Sequence, residues 1–168
     1  MTSVADQLSL ESAAGLRVIW DREAAAALAA LVAGGDASEP SWQLEGSLEP
    51  EFTALRVVTG ATAEGALLVL CAARPAGATH HDEDAVSAVF VNSEGDQLEI
   101  QDALISTEYG ADGAIRRLGL ELYPEGEEYP VRGAGDAVEG DSTGERVRLS
   151  FRIDGGEGAA LHETVRPA

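Results

Sequence analysis

Lysine is absent from this chain: all 11 basic residues are arginine, against 30 acidic residues, giving a formal charge of −19 over 168 positions. That excess repels phosphate backbones and anionic membrane surfaces, which argues against nucleic-acid and membrane partners. Aromatic residues make up 5% of the chain, too few to supply the stacking platforms used by single-strand binders. A single cysteine, Cys71, excludes an internal disulfide framework. It lies in an apolar run, where it reads as a small buried hydrophobe. No leading segment combines a basic stretch with an apolar one, and no window reaches the length of a membrane span. The expected location is therefore the cytoplasm, with the acidic surface serving solubility.

Catalytic motifs are also scarce. No Gly-x-Ser-x-Gly elbow is present, and Cys71 sits among residues too apolar to activate a thiolate. The nearest approach to a phosphate loop is the glycine-rich run at 133–136, which no helix pattern follows.

What the chain does contain is alternation. At its centre, residues 102–123 hold two extended runs around Asp112 and Gly113, a pair that tolerates the positive φ of a hairpin turn. The second run sets Leu118, Leu120 and Leu122 on one face and Arg117, Gly119 and Glu121 on the other. The same period of two recurs at 42–48, 52–59, 85–91, 97–100, 146–153 and 159–165. In the run at 146–153, Val147, Leu149, Phe151 and Ile153 face inward. The run at 66–73 is apolar at every position and predicts a strand covered on both faces. Residues 16–20 read as a first edge strand. Asp21 reads as the N-cap of an alanine-rich helix over 22–33, which Gly34 and Gly35 stop.

Short connections between successive strands imply antiparallel neighbours. The fold class is thus mainly β: an antiparallel meander closing as a barrel or as a two-layer sandwich, with one N-terminal α-helix packed on it. No break in composition divides the chain, so residues 1–168 are expected to form one domain. Residues 1–14 read as an N-terminal arm. Residues 124–145 read as a long acidic, glycine-rich loop, able to act as a lid. The pattern resembles small lipid- and pigment-binding barrels at the level of fold alone, which warrants no function.

Three functions are open at this point. In the first, the sheet interior holds a small apolar molecule, with Tyr109, Tyr123, Glu108 and Arg117 around the central hairpin as candidate ligand contacts. In the second, a divalent metal serves an enzyme through His80, His81 and Asp82, joined by His162 or Glu163; imidazole and carboxylate side chains suit such ions. In the third, an exposed edge, at 16–20 or in the C-terminal strand, pairs with a partner or a second copy as a homodimer. The charges within strands (Glu99, Glu108, Arg117, Glu121, Arg148, Arg152 and Glu163) have the simpler reading of a wet outer face. The first reading is the one adopted.

Overall fold

A strand that is apolar on both faces needs cover on both, and the run at 66–73 sets that demand on the whole fold. In the computed structural model the chain is described over residues 7–12, 15–26, 42–48, 50–78, 84–111, 114–143 and 146–166. In chain order these form β1 (Gln7–Glu11), β2 (Arg17–Asp21), α1 (Arg22–Ala26), β3 (Trp42–Glu45), β4 (Phe52–Thr62), β5 (Leu67–Pro75), β6 (Ala85–Val91), β7 (Gln97–Tyr109), β8 (Ile115–Pro124), β9 (Val131–Thr143), β10 (Arg146–Ile153) and β11 (Gly156–Val165).

Strands β4 to β11 follow one another as antiparallel neighbours, and β11 pairs back onto β4 from Gly158 with Thr62 to Val165 with Leu55. The meander closes as an eight-stranded barrel. Closure gives every strand of that sheet two neighbours. Its interior is filled by Leu68, Leu70, Phe90, Leu118, Leu122, Leu149 and Phe151, all fully buried. Side chains of this size each contribute roughly 1.5–3 kcal/mol on burial.

The second face of β4 and β5 is covered from outside. A three-stranded antiparallel sheet in the order β1-β2-β3, with α1, lays Leu8, Val18, Trp20 and Ala25 over Leu55, Val57, Val69 and Cys71. The Trp20 indole donates to Thr59 Oγ1 at 2.7 Å, so its one polar atom is satisfied beneath this cover. At the rim, Trp42 Nε1 donates to Glu163 Oε1 at 2.9 Å.

Two glycines explain how the interior accepts Phe151. A Cβ at Gly60 would lie 2.6 Å from the Phe151 ring, and one at Gly158 would lie 1.7 Å from the Ala61 carbonyl oxygen. The aromatic ring occupies the room that the first glycine leaves, and the second lets β11 press against β4.

Several expectations are corrected. Residues 131–143 of the predicted acidic loop are a full strand, β9, paired with both β8 and β10. Its inward positions include Gly133 and Gly135, where a Cβ would come within 3.3 Å of Ile153 and 3.2 Å of Leu149 respectively. An inward row of glycines has no apolar alternation, so the strand does not show in the pattern. The predicted N-terminal arm contains β1, paired residue for residue with β2. The strand at 16–20 is the centre of the small sheet and not an edge. The runs at 97–100 and 102–109 are one bent strand, β7. Asp21 does cap α1, its carboxylate accepting from Ala24 N at 3.0 Å. Residues 27–33 of the predicted helix and the Asp112-Gly113 turn lie outside the described residues.

Candidate functional site

The barrel wall is not evenly laced. Strands β6 and β7 pair at only three positions, Val89 with Glu99, Phe90 with Leu98 and Val91 with Gln97. From Ile100 onward β7 follows β8, and the β7–β8 register shifts between Ile100 and Asp102. The first half of β6 and the second half of β7 therefore part along a seam. A cavity of about 710 Å³ lies there. It follows the cross-strand row Ile105, Leu120, Gly133 and Ile153, whose side-chain positions face the barrel interior, and reaches Asp84 and Val86 on the far side of the seam. Two small residues, Ala103 and Gly133, stand in its lining.

A buried polar cluster adjoins this cavity through Asp84. Arg56, facing inward on β4 and 4% exposed, donates from Nε to His162 Nε2 at 2.9 Å and from Nη2 to Thr107 Oγ1 at 2.5 Å. Its Nη1 stands 3.6 Å from Asp84 Oδ2. Burial pulls the Arg56 guanidinium below its ordinary value, while the fields of Tyr109 and Asp84 push it back up. His162 Nε2 accepts this hydrogen bond, so that nitrogen serves the cluster as an acceptor. The cluster thus places one cation and one anion in contact within an apolar barrel, with hydroxyl and imidazole groups completing the donor–acceptor pattern.

A second cluster sits on the outer face of β8 and β9. Glu121 accepts from the Tyr123 hydroxyl at 3.0 Å and from Arg132 Nε at 3.1 Å. The bond to Glu121 raises the Tyr123 phenol above its usual range. Burial pushes the Cys71 thiol up to about 12, and it faces the outer sheet rather than the cavity.

No protein-family profile and no curated protein sequence matches the chain. One solved structure is similar: that of a protein provisionally named AttH from Nitrosomonas europaea, determined at 2.00 Å. The likeness has a TM-score of 0.50 at 14% identity and covers 73% of this chain and 42% of that one. At that identity it concerns the fold alone. The present chain accounts for well under half the length of that protein.

The predicted site residues scatter. Glu108 and Arg117 face each other across β7 and β8 on the exposed outer surface, and Arg117 lies 3.9 Å from Asp136. Tyr123 is also on the outer face, with Glu121. Tyr109 is at the end of β7, close enough to Arg56 for their fields to interact. His162 belongs to the buried cluster, with a guanidinium on the ring nitrogen that would meet a metal. Glu163 does not join it: neighbouring strand residues point to opposite faces, and Glu163 bonds Trp42 outside. His80, His81 and Asp82 lie outside the described residues. Among the described residues, no three His, Cys, Asp or Glu side chains gather as a metal site. No helix among them is long and apolar enough to cross a membrane.

Sequence reasoning missed Arg56 and Thr107, and met Asp84 only as the end of the candidate metal-binding run at 80–84. One signal was available for the first. Arg56 is a lone charge between Leu55 and Val57 in a strand whose other neighbours are apolar or small, so its side chain needs an internal partner. The strands proposed as exposed edges both have two partners: β2 lies between β1 and β3, and β11 between β10 and β4.

Proposed function

We propose that this barrel is a binding protein for a small, largely apolar molecule, taken into the cavity along the β6–β7 seam. The observation that carries the reading is the cavity itself. Its volume of about 710 Å³ falls within the range of roughly 300–1,000 Å³ typical of small-molecule sites. Its wall is mainly apolar, with a polar cluster meeting it at Asp84, the combination that binds a body and orients a head. Access requires little rearrangement, because the two strand segments flanking the seam carry no shared ladder that must break. Tyr109, beside Arg56, is the member of the predicted ligand set that we assign to this end of the site.

The test is titration of the purified chain with the neutral fluorophore Nile red, in wild type and in an Ile105→Trp variant that fills the cavity. Saturable binding by the wild type, weakened at least about tenfold in the variant, is expected. Equal binding by a folded Ile105→Trp protein, or none by the wild type, refutes the reading.

A further inference from the structure

The charges around the cavity restrict what it accepts. At its outer rim Arg132 is paired with Glu121, and Arg152 and Asp154 are exposed, whereas the one buried charge in its lining is the carboxylate of Asp84. Behind Asp84, at 3.6 Å, stands the buried guanidinium of Arg56. The charge that faces the interior of the cavity is therefore negative, with its counter-ion behind it, within a chain whose formal charge is −19. An anionic headgroup brought inside loses its water and meets the Asp84 carboxylate, which already engages Arg56. The field of the whole chain also opposes its approach. A hydroxyl or carbonyl headgroup escapes both penalties, since one or two hydrogen bonds satisfy it. Resting on the binding function proposed above, we infer that the cavity takes uncharged amphiphiles, such as long-chain alcohols, and discriminates against carboxylates of the same chain length.

The discrimination is local as well as global, and salt separates the two. Surface fields are largely screened at about 0.5 M salt, whereas a buried pair is screened much less. The experiment is displacement of Nile red from the wild-type chain by dodecan-1-ol and by dodecanoate, each below its micelle concentration. It is run at about pH 8, where the carboxylate is ionised, in low salt and in about 0.5 M NaCl. Dodecan-1-ol is expected to displace the probe at a concentration at least about tenfold lower than dodecanoate, and to keep that advantage in high salt. Equal or stronger displacement by dodecanoate overturns the inference, and so does a preference that vanishes with salt. An Asp84→Asn variant removes the negative charge from the cavity lining and from beside Arg56. It is expected to improve dodecanoate relative to the alcohol by about tenfold, and an unchanged preference in the folded variant also overturns the assignment. Should that variant fail to fold, the wild-type comparison decides alone. Absence of saturable Nile red binding is a different result: it removes the binding function itself, and this inference with it.

Discussion

Replacing Asp84 by leucine leaves the Arg56 guanidinium inside the barrel without its carboxylate. The two side chains are 5% and 0% exposed, and the charged atoms are 3.6 Å apart. At an effective dielectric constant of about 20, that separation corresponds to about 5 kcal/mol of attraction. Removing one member of a buried pair typically costs about 3–5 kcal/mol, because the survivor stays desolvated. Removing both is different. An Arg56→Met, Asp84→Leu double variant loses the pair and its desolvation cost together, while His162 and Thr107 lose a donor worth roughly 1–3 kcal/mol. The double variant is therefore expected within about 2 kcal/mol of wild type, well above the single Asp84→Leu variant. Urea unfolding followed by circular dichroism measures this. With a slope of about 2 kcal/mol/M, the single variant's midpoint should fall by about 1.5–2.5 M and the double variant should recover most of that loss. A single variant within about 1 kcal/mol of wild type refutes the reasoning, since it would mean that the guanidinium reaches water without Asp84.

Three further outcomes follow from the packing. Gly158→Ala is expected to destabilise by about 3 kcal/mol or more, since its Cβ meets the β4 backbone at the Ala61 carbonyl, and Gly60→Ala by less, since there a side-chain ring can shift; thermal melts of the two variants give the order. Thr59→Val strands the buried Trp20 indole N–H and should cost about 1–3 kcal/mol in urea unfolding, with a change in tryptophan emission. Cys71, with its thiol pushed up to about 12, should react negligibly with a disulfide reagent near pH 8 in the native state and fully in urea. Its sign in pH dependence is fixed as well. A thiol raised by folding contributes stability that is present below the ordinary value of 9.0 and is lost as pH rises toward about 12.

How much of this was legible depends on whether a position announces itself by its neighbours. The alternation of Leu118, Leu120 and Leu122, and of Val147, Leu149, Phe151 and Ile153, placed β8 and β10 and their inward faces correctly. The apolar run at β5 called for cover on both faces, and it has it. Strand β9 was illegible because its inward face is glycine where β10 side chains crowd it, and periodicity reads side chains. The candidate site was less legible still. Asp84, Arg56, Thr107 and His162 lie on four different elements or their flanks, and nothing local brings them together. The residues that looked eligible, Glu108 and Arg117, were eligible because charges in strands stand out, yet cross-strand pairing turns both to solvent.

The sequence by itself determined the class of fold, the antiparallel order of neighbours and the acidic, lysine-free surface, because period-two patterning, turn residues and composition act within a few positions of one another. Tertiary structure alone decided that the meander closes, through β11 returning to β4, rather than stacking as two layers. It also decided where the wall parts and which charges meet inside it. Register and shear across the whole barrel set those distances, and they are properties of eight strands at once.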